Sequence, residues 1–289
     1  MRTRVCLGLA WLALALLAAG CASPAEEPTA PAPTPAGPSA LQVAVVTDDF
    51  PAGSPRVPFV LFAGQDKVAD AQAVTITAYD LSAGTPTAGW SGSAVSYSDY
   101  EVPYWVARPE LPHAGAWGLA AEITAADGTT SQAQFAIQVT DDSPAPAVGE
   151  LAPSSQNRTT ADQPDLSLLT SDAEPEPALY EMTVAEAIAS GKPTVVSLAT
   201  PGFCQTDICV PVLDTIKAVF RDRGEEANFI HIEIYTDFEE LTVAPEVEEW
   251  GLSSEPWTFV LDGDGRVMAR FGGPLSPREL EAALAPLLA

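Results

Sequence analysis

The fold of the C-terminal part is decided by the stretch Thr200-Pro201-Gly202-Phe203-Cys204-Gln205-Thr206-Asp207-Ile208-Cys209-Val210-Pro211. An apolar run, Thr194–Ala199, comes directly before it and predicts a buried strand, and the polar and apolar pattern that follows predicts a helix. The other two of the four cysteines, Cys6 and Cys21, lie in the N-terminal segment. Cys204 and Cys209 are therefore the only thiols in the predicted folded part, and a strand-to-helix junction is a position that suits thiol chemistry.

The spacing of the two cysteines limits their arrangement. Five residues of α-helix separate two Cα atoms by at least ~7.5 Å, whereas a disulfide needs Cα atoms closer than about 7 Å. Because proline is tolerated only in the first turn, Pro211 predicts a helix that begins near Asp207–Cys209, with Asp207 as the candidate N-cap. Free N–H groups and the helix dipole would then favour a thiolate at Cys209. On this argument Cys209 is the nucleophile and Cys204, in the preceding loop, is the resolving thiol.

Helix and strand patterns alternate from Glu176 onward. Thr183 and Glu186 form a capping box, and Ser276 is followed by a proline and a capping glutamate. The order α, β, α, β, α, β, β, α indicates a mixed sheet with helices on both faces. The predicted helices run from Thr183 to Gly191, from about Cys209 to Arg223, over Pro245–Trp250 and from Ser276 onward. The predicted strands are Thr194–Ala199, Asn228–Tyr235 and a hairpin of Trp257–Leu261 and Arg266–Phe271 around Asp262-Gly263-Asp264-Gly265.

Residues 177–289 resemble the thioredoxin superfamily. The resemblance is carried by the strand that leads into Phe203-Cys204, by Cys209-Val210-Pro211-Val212 and by Ser254-Glu255-Pro256-Trp257-Thr258-Phe259-Val260. In that family a cis proline before the hairpin packs against the redox cysteines, and Pro256 matches it. The resemblance implies an α/β fold and thiol–disulfide exchange on exported proteins or small thiols, with no dissociable cofactor. The implied residues are Cys204 and Cys209 as the redox pair and Glu255, Pro256 and Trp257 in the substrate groove.

The chain departs from the family pattern in three places. Its cysteines are spaced Cys-x4-Cys, not Cys-x2-Cys. Ser197 or Leu198 falls where many members carry a buried aspartate. Glu255 stands before the proline, where small or β-branched residues are usual, and an acid this close to a thiolate raises the thiol pKa. The departures indicate a protein tuned away from a general-purpose reductant.

Other resemblances leave alternatives open. Residues 200–209 are similar to the Thr-Pro-Gly-Cys-x4-Cys of Q-type peroxiredoxins, interrupted by Phe203, which implies a thiol peroxidase in which Cys204 attacks and Cys209 resolves. The pair is also similar to the Cys-x3-Cys copper site of cytochrome oxidase assembly chaperones. Those chaperones need a loop histidine, and His231 lies in a predicted strand, so no metal is predicted. The non-enzyme alternative is a two-module binding protein with a permanent disulfide worth about 2 kcal/mol.

The N-terminus has the pattern of a bacterial export sequence. Arg2 and Arg4 precede an apolar run, Val5–Ala19, that is too short for a stable spanning helix. Leu17-Ala18-Ala19-Gly20-Cys21 resembles the lipobox of bacterial lipoproteins, which implies a signal peptide over residues 1–20 and a lipid anchor on Cys21. Residues 21–40 are rich in proline and alanine and predict an extended tether. The expected location is the extracytoplasmic face of the cell membrane, where disulfides persist.

Residues 41–140 predict an all-β sandwich. Turn residues, among them Gly84, Gly89 and Gly115, separate seven short strands, as in Greek-key folds. Pro109–Trp117 resembles a corner of immunoglobulin-like domains in secreted bacterial proteins, and His113 within it is predicted to be a solvated turn residue. The predicted strands are Leu41–Val46, Pro58–Ala63, Ala73–Tyr79, Ala94–Tyr97, Tyr104–Arg108, Trp117–Thr124 and Gln132–Val139. The aromatic residues expected mostly to pack in the core and at strand edges are Trp90, Tyr97, Tyr100, Tyr104 and Trp105.

Composition completes the predicted organisation. Residues 141–176 are rich in proline, serine, alanine and aspartate and predict a linker that partly wraps one domain. The net charge is −26, and it becomes near −28 without residues 1–20, which hold two arginines and no acid. Such a chain repels nucleic acid, so nucleic acid is excluded as a partner. The predicted fold class is multidomain: an immunoglobulin-like sandwich followed by a thioredoxin-like fold.

Overall fold

The computed structural model describes residues 41–288. The predicted signal peptide, the lipidated Cys21 and the tether lie outside these residues and stay predictions. Within the described part of the chain, no helix has both the length and the apolar character needed to cross a bilayer.

Residues 41–140 form nine strands in two antiparallel sheets. The strands are β1 (Leu41–Val45), β2 (Val57–Ala63), β3 (Asp66–Lys67), β4 (Ala73–Asp80), β5 (Thr87–Ser93), β6 (Val95–Tyr97), β7 (Tyr104–Ala107), β8 (Gly115–Thr124) and β9 (Thr130–Val139). One sheet has the order β1-β2-β7-β6, with β3 paired to β2, and the other has the order β5-β4-β8-β9.

Apolar side chains from both sheets fill the space between them. In β4 the buried residues Val74, Ile76 and Ala78 alternate with more exposed ones, as expected of a strand with one buried face. Phe59 and Leu61 of β2 belong to the same buried cluster. Two sheets that bury one face each in a common core form a sandwich. The immunoglobulin-like character of this sandwich stays a prediction.

Two predicted turn residues lie in strands. Gly115 is the first residue of β8, where it pairs with Val139 of β9. Gly89 lies inside β5, which pairs with β4 from Thr75 opposite Ser93 to Asp80 opposite Thr87. This strand is at the edge of its sheet, and most of its residues are exposed. Because an exposed edge strand needs no apolar face, the sequence of β5 lacks the alternation by which the other strands are recognised.

Residues 177–288 form a mixed four-stranded sheet with helices on both faces. The elements are α1 (Val184–Ala189), β10 (Thr194–Ala199), α2 (Cys209–Arg223), β11 (Asn228–Glu233), β12 (Tyr235–Asp237), β13 (Thr242–Val243), α3 (Pro245–Glu249), β14 (Trp257–Leu261), β15 (Val267–Gly272) and α4 (Pro277–Leu284). The sheet order is β11-β10-β14-β15, with β10 and β11 parallel and the other pairs antiparallel. Val212 of α2 and Leu280 of α4 are buried in one cluster, and Val184 of α1 and Trp250 are buried in another. The predicted element order is confirmed, and the hairpin of β12 and β13 is an addition to it.

Two predicted helix starts are confirmed, and one detail of the third is wrong. The Thr183 hydroxyl accepts from the Glu186 N–H at 3.1 Å, and the Ser276 hydroxyl accepts from the Glu279 N–H at 3.2 Å. Asp207 is not the N-cap of α2, because Ile208 holds that position without a side-chain hydrogen bond. Asp207 instead has a φ of 57° in the turn before the helix.

The predicted linker lies along the C-terminal sheet. The Gly149 N–H donates to the Val267 carbonyl at 2.8 Å, and the Val267 N–H donates to the Glu150 carbonyl at 2.9 Å. Ala145 and Ala152 are buried in the same cluster as Trp250. The segment therefore protects β15, which is otherwise an open edge strand.

Candidate active site

The fold brings three chemically reactive side chains together at the start of α2. Cys204 lies in the loop after β10, and Cys209 is the first residue of the helix. Both are free thiols. Their sulfur atoms and a carboxylate oxygen of Glu255 all lie within 4.8 Å of one another. The predicted meeting of the two cysteines is present in the structure.

The sulfur of Cys204 lies at the N-terminus of α2. It accepts the Cys209 N–H at 3.3 Å, and the Thr206 hydroxyl lies 3.4 Å from it. A hydrogen bond from the Cys209 thiol, together with bonds from Thr206 and from backbone N–H groups, lowers the pKa of Cys204 to about 5, although partial burial opposes this. Cys204 is therefore a half-buried thiolate at neutral pH, which is the reactive form of a cysteine.

Cys209 has the opposite electrostatic environment. Its side chain is fully buried. Its hydrogen bond to Cys204, its burial and the negative charge of Cys204 all raise the pKa of Cys209. The free amide that was expected to stabilise a thiolate on Cys209 stabilises the sulfur of Cys204 instead. The structure thus opposes the prediction that Cys209 is the nucleophile. It favours the alternative in which Cys204 attacks and Cys209 resolves.

Labelling with iodoacetamide should follow the thiolate fraction of Cys204. Because its pKa is about 5, the rate should rise as the pH passes through about 5 and be nearly flat from about pH 6 upward. Cys209 should stay unlabelled at neutral pH, since it is buried and protonated. Mass spectrometry of quenched samples measures both sites. A labelling midpoint near the ordinary cysteine value of about 8.5 would contradict the assignment.

The segment before β14 completes the site. The peptide bond between Glu255 and Pro256 is cis, and Pro256 is buried. Burial, the negative charge of Cys204 and that of Glu233 raise the pKa of the Glu255 carboxyl. Trp257 is 3% exposed and stacks on Phe259 with ring centroids 5.5 Å apart. It packs in the core, and this burial opposes the prediction that Trp257 lines the substrate groove.

Among the described residues, one group of three histidine, cysteine, aspartate or glutamate side chains is close enough together to hold a metal ion. It consists of Cys204, Cys209 and Glu255. They offer two sulfur ligands and one oxygen ligand, one fewer than a structural zinc site requires. His231 is not part of this group. It is buried between the Tyr180 hydroxyl at 2.8 Å and the Ala199 carbonyl at 3.2 Å, which agrees with its prediction as a packed residue.

The N-terminal sandwich contacts the Pro256 segment directly, and sequence reasoning missed the residues responsible. The hydroxyls of Ser253 and Ser254 donate to the Asp48 carboxylate at 3.1 and 2.7 Å. On the other side, the Gly273 N–H donates to the Pro256 carbonyl at 2.9 Å. The segment that faces the cysteines is therefore held partly by the sandwich.

Arg56 makes a second contact, with the end of β15 and the start of α4. Its guanidinium binds both carboxylate oxygens of Glu279, at 2.9 and 2.8 Å, and donates to the carbonyls of Gly272 and Pro274, at 2.9 and 2.6 Å. The Tyr104 hydroxyl donates to the same carboxylate at 2.8 Å. Arg56 and Glu279 are 223 residues apart in the chain, so no local pattern could indicate their pairing.

The aromatic residues of the sandwich mostly pack, as predicted. Tyr97 stacks on Tyr104, with ring centroids 4.7 Å apart, and Tyr104 shares a buried cluster with Ile208 at the N-terminus of α2. Trp105 lies in the sandwich core. His113 is exposed and binds Asp80 at 3.0 Å, in agreement with its prediction as a solvated residue.

Comparisons with known proteins relate the chain to a small number of others. No family model matches the chain. A stretch of 41 residues, 14% of the chain, is 44% identical to the thiol:disulfide interchange protein HelX of Rhodobacter capsulatus, and it spans 23% of that protein. A thiol:disulfide interchange protein of the thioredoxin family from Chlorobium tepidum matches 41% of the chain and 100% of its own, with 18% identity and a TM-score of 0.31. CopC from Methylosinus trichosporium OB3b matches 32% of the chain and 83% of its own, with 16% identity and a TM-score of 0.23. The short sequence match and the arrangement of the C-terminal sheet support a thioredoxin-like domain in this chain.

Proposed function

We propose that the protein performs thiol–disulfide exchange outside the cytoplasm, with Cys204 as the attacking sulfur and Cys209 as the resolving one. The observation that carries the proposal is the half-buried Cys204 sulfur, which accepts the Cys209 N–H at 3.3 Å and has a pKa of about 5. A lipid anchor on Cys21 would hold this site at the membrane. The substrates are exported proteins with disulfides, or small thiols.

The reaction balances over two steps. The Cys204 thiolate attacks a substrate disulfide, which breaks the substrate S–S bond and releases one substrate thiolate. The Cys209 thiol then loses its proton and attacks the mixed disulfide, which releases the second substrate thiolate and leaves a Cys204–Cys209 disulfide. Glu255 lies within 4.8 Å of both sulfurs and is the proton acceptor in this proposal. Two electrons pass from the protein to the substrate, and the reverse sequence oxidises a dithiol.

Two alternatives have less support. A peroxidase of the Q type would use the threonine of its motif at the thiol, but the buried hydroxyl of Thr200 makes no hydrogen bond. Among the described residues, no hydrogen bond or ion pair joins an arginine to Cys204. A protein with a permanent disulfide has no need of a low-pKa thiol at a helix N-terminus.

Redox titration of the cysteine pair tests the proposed function. The pair should equilibrate with glutathione or dithiothreitol buffers at a reduction potential above about −300 mV, because stabilisation of the thiolate favours the reduced form. Alkylation and mass spectrometry at each buffer ratio give the potential. A pair that stays oxidised at potentials below about −300 mV would instead be a structural disulfide.

A further inference from the structure

An exposed apolar patch lies beside Cys204. We call it the hairpin patch, and it consists of Phe203, Tyr235, Phe238, Leu241 and Val243. The Phe203 ring lies 5.7 Å from that of Tyr235 and 5.7 Å from that of Phe238. Exposed fractions are 36% for Phe203, 44% for Leu241 and 53% for Val243. Large apolar side chains grouped at the surface mark an interaction site more often than scattered ones do.

The hairpin patch adjoins Cys204 in the chain. Phe203 directly precedes Cys204, and Val243 is paired with Tyr235 across the hairpin of β12 and β13. A partner chain whose cysteine reaches Cys204 would therefore pass over Phe203 and the hairpin. The sequence pattern did not predict this hairpin.

The surroundings of the patch are acidic. Residues 200–216 and 235–255 together contain nine acids and no lysine or arginine. Asp207, Asp237, Glu239 and Glu240 are exposed next to the patch residues. Arg158 reaches the hairpin from the segment before α1, where it donates to the Thr236 carbonyl at 3.2 Å. An apolar surface with an acidic border attracts a partner that is apolar at its centre and basic at its ends.

We propose that the hairpin patch selects the substrate of the exchange reaction: an extended protein segment with apolar residues beside its cysteine and lysine or arginine beyond them. This inference rests on the proposed function and names the substrate class. Apolar side chains of the segment would cover Leu241 and Val243, and its basic residues would lie against Asp237, Glu239 and Glu240. Small thiols are too short to span the patch, so the patch would not increase their rate of exchange.

Three synthetic peptides test the proposal with the full chain. Their sequences are Lys-Leu-Cys-Phe-Lys, Lys-Ser-Cys-Ser-Lys and Glu-Ser-Cys-Ser-Glu, each carried as a mixed disulfide with thionitrobenzoate, and the symmetric thionitrobenzoate disulfide is the reference. The measured quantity is the second-order rate for each peptide divided by the rate for the reference. The apolar basic peptide should exceed the acidic one by about tenfold or more, with the polar basic peptide between them. Added salt should reduce the rate difference between the basic and the acidic peptides, because salt screens the charge of the lysines.

Paired variants complete the test. The double variant Leu241→Ser/Val243→Ser should lower the rate ratio of the apolar basic peptide about tenfold. The control Val148→Ser removes an apolar side chain that is 62% exposed in the segment before α1, and it should leave the ratio unchanged. Equal ratios for the three peptides, or a double variant that keeps the preference, would overturn the docking proposal and leave exchange intact. The wild-type chain could instead form a dimer that the double variant abolishes, with equal rates for the three peptides. That result would assign the patch to contact with a second copy of the chain, and it would also overturn the docking proposal. If Cys204 reacts with none of these disulfides, the proposed function itself is wrong.

Discussion

Replacement of Cys204 by serine is expected to slow disulfide exchange at pH 7 by at least about a thousandfold. The variant replaces a sulfur whose pKa is about 5 with a hydroxyl that stays protonated at neutral pH. Cys209 cannot take over the attack, because it is buried and its own pKa is raised. The measurement is the rate of thionitrobenzoate release from a mixed-disulfide probe.

The matched variant Cys209→Ser separates the two roles. It should attack the probe at nearly the wild-type rate, since a serine hydroxyl can still donate to the Cys204 sulfur, and it should then stop at the mixed disulfide. Non-reducing electrophoresis and mass spectrometry detect that trapped species. The reverse pattern, in which Cys204→Ser is trapped and Cys209→Ser is inactive, would restore the assignment that follows from helix position alone.

Replacement of Arg56 by methionine is expected to lower the free energy of unfolding by about 3–5 kcal/mol. The side chains of Arg56 and Glu279 are only 7% and 6% exposed, so removing the guanidinium leaves a buried carboxylate without its bidentate partner. The carbonyls of Gly272 and Pro274 lose a donor as well. Urea denaturation followed by fluorescence measures the change.

Arg108 offers a matched control for this experiment. It lies 3.9 Å from the same carboxylate, but its side chain is 58% exposed. Arg108→Met should therefore cost less than about 1 kcal/mol. A second variant, Arg56→Met/Glu279→Leu, should recover part of the stability because it removes the unpaired charge. Equal losses of stability in Arg56→Met and Arg108→Met would show that the buried pair of Arg56 and Glu279 does not stabilise the contact between the sandwich and the C-terminal domain.

Local patterns were enough to predict much of the C-terminal fold. The capping box at Thr183, the N-cap at Ser276 and the apolar run Thr194–Ala199 are interactions among residues near in sequence, and each appears in the structure as predicted. Pro211 placed the start of α2 for the same reason. The edge strand β5 and the hairpin of β12 and β13 were missed because they bury little apolar surface and so show no periodicity.

By itself, the sequence determined that two thiols stand where a strand passes into a helix, because their order and spacing are properties of the chain. Only the tertiary structure decided which thiol is the anion. Burial of Cys209 and the donation of its amide to Cys204 depend on how α2 packs against the sheet and the sandwich. The structure likewise decided that Glu255 faces both sulfurs and that Arg56 pairs with Glu279. Periodicity shows which face of an element is buried, but it does not show which distant residues lie against that face.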